Sequence, residues 1–83
     1  MNKILVEIYI PAIGEHFDML VPGDVPIQDV IGVIADGVAE LTNERYVTSH
    51  FEQLCMKEPE GLLHPMLTLH DYGVKDGTRL YLV

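Results

Sequence analysis

The chain has 83 residues, enough for one domain, and its 48% hydrophobic content is richer than that of a disordered segment. Thirteen acidic and five basic residues give a net charge of −8, which disfavours nucleic acid and anionic membrane surfaces as partners. The single cysteine excludes an internal disulfide framework, and no apolar run suits a signal peptide or a membrane span, so we expect a cytoplasmic protein without direct membrane insertion.

The first two predicted elements form an N-terminal hairpin. Apolar residues alternate with other residues over 3–10, which is the period of a strand with one buried face. A second strand with the same period is predicted over about 15–21, after a turn at 11–14. The predicted inward side chains of the first strand are Ile4, Val6, Ile8 and Ile10, and those of the second are Phe17, Met19 and Val21.

A helix of about four turns is predicted next. Asp24 or Val25 is expected to cap it, with Pro26 in the first turn, where the missing N–H costs little. Apolar residues then recur at spacings of three and four, so that they form one stripe for docking on the sheet. The stripe consists of Ile27, Val30, Ile31, Ile34, Val38 and Leu41. Gly32 and Gly37 weaken the helix, which should therefore depend on that docking.

Three further strands are predicted after a connection over 41–49. The first covers about 50–57, but its pattern does not reveal which side chains point inward. A turn at 58–61 leads to a very short strand at Leu62 and Leu63, and the last strand covers 78–83 with Leu80 and Leu82 inward. The order β-β-α-β-β-β predicts an α+β fold in which one helix packs across one face of a mixed five-stranded sheet. The first and last strands are expected side by side at its centre.

The segment before the last strand has the most specific pattern. Leu69 and Val74 are predicted core residues, and Asp71 is expected to accept hydrogen bonds from the N–H groups just after it. Gly73 and Gly77 are expected to supply positive φ angles in tight turns.

The motif over 69–77, followed by Leu80, resembles the end of ubiquitin-like β-grasp domains. In addition, the stretches 17–22 and 25–31 resemble the second strand and the helix start of the YukD/EsaB family, small ubiquitin-like proteins encoded with bacterial type VII (ESX or WXG100) secretion systems. The likeness spans nearly the whole chain and is weakest over about 43–66. It implies one ubiquitin-like domain over 1–83 that acts as a cytosolic accessory of the secretion machine, with cytosolic domains of its membrane proteins or ATPase as partners.

Two surfaces are predicted to bind protein. If the helix covers one face of the sheet, the other face carries more apolar side chains than is usual for a face open to water. Its residues are Leu5, Tyr9, Leu20, Arg79, Tyr81 and Val83, with His16 at the border. By analogy with ubiquitin, this outer face is expected to recognise partners. The acidic helix face of Asp29, Asp36 and Glu40 is a second candidate, although a solvated surface also accounts for it.

Enzymatic chemistry is not expected. Four scattered histidines lack metal-ligand spacing, Cys55 has no neighbour that would activate it, and no Gly-rich phosphate loop is present, so we predict no catalytic residues, metal or cofactor. A covalent modifier or sulfur carrier is a further hypothesis, which the absence of a Gly-Gly end at Leu82 and Val83 disfavours. A generic protein-binding domain unrelated to secretion stays open.

Overall fold

The computed structural model describes residues 3–57 and 60–83, and it has the predicted α+β architecture. The elements in chain order are β1 (Lys3–Ile10), β2 (Glu15–Pro22), α1 (Ile27–Leu41), β3 (Leu54–Lys57), β4 (Glu60–Leu62), a short 3-10 helix (His70–Tyr72) and β5 (Arg79–Leu82). The strands form one sheet in the order β2-β1-β5-β3-β4. Strands β1 and β5 are parallel and central, and the other pairs are antiparallel, so the predicted β-grasp topology is confirmed.

One hydrophobic core lies between the sheet and α1. The even-numbered residues of β1 and β5 are fully or almost fully buried, as their alternation predicts. From these two strands the core takes Ile4, Val6, Ile8, Ile10, Leu80 and Leu82, and α1 adds Ile27, Val30, Ile34, Ala35 and Val38. No helix within the described residues has the length and apolar character needed to cross a bilayer.

The start of α1 differs from the prediction in the identity of its cap residue. Pro26 is itself the cap residue, with φ −55° and ψ 141°, and it makes an isolated antiparallel bridge with Thr68. The N–H of Ile27 donates to the carbonyl of Leu67 at 2.8 Å, and the N–H of Gln28 donates to the carbonyl of Pro65 at 3.0 Å. Backbone carbonyls from a distant segment thus satisfy the N–H groups of Ile27 and Gln28, and the cap residue is Pro26 rather than Asp24 or Val25.

The end of α1 also departs from the predicted stripe. Leu41 is 59% exposed, because the helix ends there and the chain reverses through Asn43 and Glu44, both at positive φ. Tyr46 is buried instead, and its N–H donates to Thr42 Oγ1 at 3.1 Å just beyond the helix. The connection therefore contributes a core residue where the helical pattern predicted none.

Strand β3 is shorter than predicted, and its inward face is now defined. It begins at Leu54, and Leu54 and Met56 are buried, so Cys55 points toward the other face. Gln53 still pairs with Val83 through two backbone hydrogen bonds of 2.8 and 2.9 Å. The predicted strand over 50–57 was thus too long at its start, where His50 has a φ of 65°.

Strand β4 lies slightly earlier than predicted. It covers Glu60–Leu62, and Leu63 follows it as a buried residue whose N–H donates to the carbonyl of Leu54 at 2.8 Å. The turn predicted over 58–61 involves residues 58 and 59, which lie outside the described residues.

The segment 69–77 closes the core as predicted, through two buried side chains and two turns. Leu69 and Val74 are buried, and Gly73 has a φ of 71° at the end of the 3-10 helix. Gly77 has a φ of 91°, and its N–H donates to the carbonyl of Leu5 at 2.8 Å. Both glycines thus adopt backbone angles that other residues rarely adopt.

Asp71 accepts a hydrogen bond from a residue before it in the chain, whereas the prediction was an N–H just after it. Asp71 Oδ2 accepts from the N–H of Thr68, three residues before it, at 2.9 Å. In return, the N–H of Asp71 donates to Thr68 Oγ1 at 3.2 Å. This reciprocal pair fixes the entry into the 3-10 helix, because each side chain satisfies the other residue's N–H.

The two glycines of α1 lie in different surroundings and predict a difference in stability. A Cβ atom at Gly32 would meet open space, whereas one at Gly37 would lie 2.7 Å from Met19 Cε. We expect Gly32→Ala to raise the free energy of unfolding by about 1 kcal/mol through helix propensity. Gly37→Ala should gain less, because the end of the Met19 side chain must move. Thermal unfolding of both variants measures the difference, and equal gains would contradict this packing.

Candidate protein-binding surface

The sheet face opposite α1 carries a row of side chains that crosses the strands and has two neighbouring tyrosines, and we call it the aromatic row. The strand register places Tyr9 opposite His16 on β2 and opposite Tyr81 on β5. The row continues across the sheet, because Tyr81 is opposite Cys55 and Cys55 is opposite Leu62. In spatial order the aromatic row is His16, Tyr9, Tyr81, Cys55 and Leu62.

Two tyrosines form the centre of the aromatic row. The ring centroids of Tyr9 and Tyr81 lie 5.8 Å apart with an interplanar angle of 87°, which is an edge-to-face contact. Such pairs contribute roughly 0.5–1.5 kcal/mol beyond the area they bury. Both tyrosines are half-buried, so part of each side chain stays accessible to a partner. The two tyrosines thus pack on each other and form one amphipathic surface.

A shallow apolar depression adjoins the aromatic row on the side of β3 and β4. Its volume is about 480 Å³, and its lining includes Pro11, Cys55, Leu62, Tyr81 and Val83. Burial raises the pKa of the Cys55 thiol, so the group stays protonated and acts as a small apolar contact. The depression can accommodate an apolar side chain, and Lys57 also lines it.

A charged row lies next to the aromatic row and runs parallel to it. Glu7 is opposite Asp18 on one side and opposite Arg79 on the other. Arg79 Nε donates a hydrogen bond to Glu7 Oε1, and this contact raises the pKa of the guanidinium. Glu7, Asp18 and Arg79 line a shallow groove, and Lys57 of β3 lines it with them. Arg79 is too exposed for this ion pair to add much stability, so the row is better suited to orienting a partner.

The charged row divides the predicted outer face into separate areas. Leu5 and Leu20 are directly opposite each other and are 43% and 61% exposed, but the charged row separates them from Tyr81. All six predicted residues thus lie on the outer side of the sheet. Arg79 belongs to the charged row, which divides the other five into two apolar areas. Cys55 and Leu62 also belong to the larger area. Cys55 was not predicted there because the inward face of β3 was undetermined, and Leu62 was not because β4 is too short to show an alternation.

The second predicted surface lies on the opposite side of the domain. Asp29, Asp36 and Glu40 are all exposed on α1, and the helix contains no basic residue. Asp36 and Glu40 lie one turn apart on the same side of the helix. The helix therefore presents only negative charge to solvent.

The part of the chain that the structure describes contains no cluster of metal-ligating side chains. Within residues 3–57 and 60–83, no three His, Cys, Asp or Glu side chains come together to hold an ion. The four histidines are exposed and separate, and His64 Nδ1 accepts from the N–H of Met66 at 3.1 Å.

Solved structures share this fold at low sequence identity. The ubiquitin-like domain of the Mycobacterium tuberculosis type VII secretion protein EccD1 is 21% identical, with a TM-score of 0.78 over 100% of this chain and 99% of that one. The EccD5 ubiquitin-like domain from Mycobacterium xenopi is 20% identical, with a TM-score of 0.81 over 100% and 94%. The ubiquitin-like domain of Dsk2 from Plasmodium falciparum is 22% identical, with a TM-score of 0.75 over 98% and 96%.

These likenesses establish the ubiquitin-like β-grasp fold. A further similar chain belongs to an ESX-5 inner membrane complex. It is 19% identical, with a TM-score of 0.71 over 100% of this chain and 21% of that one. No protein-family model matches the sequence, and none of the curated proteins compared with it does.

Proposed function

We propose that this chain is a non-conjugated ubiquitin-like module that captures a protein partner on the outer face of its sheet. The observation that carries the proposal is the aromatic row, where the edge-to-face pair of Tyr9 and Tyr81 adjoins an apolar depression. Tyrosine is enriched where proteins bind one another, because its ring gives large contact area at a low cost in conformational entropy. The role is binding rather than catalysis, and it needs no cofactor.

The chemistry of the outer face defines what the partner must offer. An apolar side chain of the partner fits the depression beside Tyr81, and polar groups next to it meet the charged row of Asp18, Glu7, Arg79 and Lys57. The row is negative at Asp18 and Glu7 and positive at Arg79 and Lys57, and this asymmetry favours one orientation of the partner over its reverse. Apolar contact thus supplies affinity, and the charged row determines the orientation of the partner.

We place this binding in the cytoplasm, as an accessory or regulatory component of a type VII secretion system. The support is the resemblance of segments 17–22 and 25–31 to the YukD/EsaB family, together with the shared fold of the EccD domains of mycobacterial secretion systems. The proposed partner is a cytosolic domain of the system's membrane proteins or of its motor ATPase. A generic protein-binding domain is the alternative, and it predicts no affinity for these components.

The test measures binding of purified cytosolic domains from the type VII secretion components encoded in the same genome. Tyr81→Ala should weaken binding by roughly tenfold, because it removes the ring at the centre of the row. Tyr81→Phe keeps the ring and should bind nearly as well as the native chain. Isothermal titration calorimetry gives the dissociation constants.

Leu41→Ala is the matched control, since it removes an exposed apolar side chain at the far end of α1. Binding that Tyr81→Ala leaves intact would contradict the outer face as the contact. An absence of binding by every cytosolic component would contradict the secretion role and leave the alternative.

A further inference from the structure

A second groove runs beside α1, and the outer-face proposal does not use it. We call it the side groove. It lies between the first two turns of the helix and the segments just before β3 and just after β4, with a volume of about 660 Å³. Its lining residues are Gln28, Ile31, Gly32, His50, Phe51, Glu52, Gln53, Leu62, Leu63, His64 and Pro65.

Phe51 is the most exposed large apolar residue at this groove. Phe51 is 86% exposed, although the backbone around it is hydrogen-bonded to nearby side chains. The N–H of Phe51 donates to Ser49 Oγ at 3.1 Å, and the N–H of Ser49 donates to Glu52 Oε2 at 2.8 Å. These bonds fix the backbone that presents the ring, so Phe51 forms a defined apolar wall of the groove. Ile31 provides apolar surface on the helix side.

Carboxylates lie at the side groove, which also includes His50 and His64, and along α1 beyond it. Gln28, Gly32, Asp36 and Glu40 follow one another at intervals of four, so they form one ridge along α1. The ridge begins at the groove and continues as two exposed carboxylates. Glu52 adds a third carboxylate, and its hydrogen bonds keep it ionised at neutral pH. Among the described lining residues there is no Lys or Arg to offset this charge.

We propose that the side groove binds a segment of another protein that carries one large apolar side chain flanked by Lys or Arg. The apolar side chain would lie between Phe51 and Ile31, beside the uncovered backbone of Gly32. The basic flanks would meet Asp36 and Glu40 on the helix ridge. Leu62 borders both the side groove and the depression of the outer face, and the other residues of the side groove do not line that depression. Such a contact does not depend on the function proposed above.

Two substitutions test the groove without disturbing the fold. Gly32→Lys extends a positive side chain from the ridge, and its Cβ meets only open space, so the helix should tolerate it. Phe51→Ala removes an apolar wall that is almost fully exposed and contributes little to the core. The controls are Gly32→Ala, which adds only a methyl group, and Val47→Ala, which removes an apolar side chain that is 73% exposed on the same connection outside the groove.

The probe is a short synthetic peptide with a central Phe between Lys-Ala repeats, titrated into ¹⁵N-labelled protein. We expect saturable chemical-shift changes at Ile31, Gly32 and Phe51. Gly32→Lys and Phe51→Ala should each weaken the affinity by about fivefold or more, while both controls bind as the native chain does. The same peptide with Glu in place of Lys should not bind. Shift changes confined to Tyr9 and Tyr81, no saturation at millimolar peptide, or equal binding by Gly32→Lys would each overturn the side groove as a docking site.

Discussion

Replacing Leu80 with alanine is expected to lower the free energy of unfolding by about 3 kcal/mol, within a range of about 2–5 kcal/mol. Leu80 is fully buried in the central strand β5, between Ile8 of β1 and Met56 of β3. The substitution removes apolar contacts and leaves a cavity that the two neighbouring strands cannot close. Because a domain of this size has a stability of only about 4–12 kcal/mol, the effect is large. Urea unfolding followed by far-UV circular dichroism measures it.

Leu20→Ala is the matched control for this experiment. It deletes the same atoms from an outer-face side chain that is 61% exposed, so its cost should stay within about 0.5 kcal/mol. If Leu80→Ala does not fold, Leu80→Val should still fold and show a smaller loss. Equal costs for Leu80→Ala and Leu20→Ala would show that the core does not lie between α1 and the sheet.

Removing the carboxylate of Glu52 is expected to have the second largest effect, about 1–3 kcal/mol for Glu52→Ala. Glu52 Oε2 accepts from the hydroxyl of Tyr46 at 2.7 Å and from the N–H of Ser49 at 2.8 Å. Without this carboxylate, the hydroxyl of the buried Tyr46 loses its hydrogen-bond acceptor. The N–H of Ser49, in the connection after α1, loses its acceptor as well. Glu52→Gln keeps the shape and should cost less. Urea unfolding at neutral pH compares the two variants.

The same carboxylate makes part of the stability depend on pH. Burial alone would raise the pKa of Glu52, but hydrogen bonds with Thr48, Tyr46 and Ser49 outweigh it and lower the pKa from 4.5 to about 2. A group whose pKa is lower in the folded state stabilises it at pH values above the unfolded pKa. This contribution is therefore lost as the pH falls from about 4.5 to about 2. The native chain should lose more stability than Glu52→Gln between neutral pH and about pH 3, and parallel losses would contradict this assignment.

The fold was predictable because its strongest signals are local. The alternation in β1 and β5, the helical spacing from Ile27 to Val38 and the turn glycines Gly73 and Gly77 each predicted an element that the structure contains. These residues bury one face in a sheet or helix whatever the rest of the chain does. Their order then restricted the topology to one that places the first and last strands together.

The features that escaped prediction depend on contacts between distant segments. The start of α1 is satisfied by the carbonyls of Pro65 and Leu67, about 40 residues along the chain, and no local capping pattern reveals such an arrangement. Tyr46 is buried through a loop whose shape depends on Glu52. The side groove likewise exists only because the connection brings Phe51 beside α1.

The outer face shows the same division between local and distant information. Alternation within each strand was enough to assign Tyr9, Arg79 and Tyr81 to that face. The relative register of strands far apart in sequence decides which of those side chains are neighbours, and it produced the separate aromatic and charged rows. Cys55 could join its row only after Leu54 and Met56 were known to point inward.

The parallel pairing of β1 with β5 has a consequence for biosynthesis. Glu7 and Arg79 are 72 positions apart in the chain yet share an ion pair at the middle of the sheet. Contacts of such long sequence separation slow folding, because the entropy of closing a large loop is lost before the contacts form. While the ribosome is still making the chain, β1 and β2 can form their hairpin, but the apolar side of that hairpin has no β5 to complete its sheet. We therefore expect the nascent domain to fold only after β5 has left the exit tunnel, and to expose its core until then.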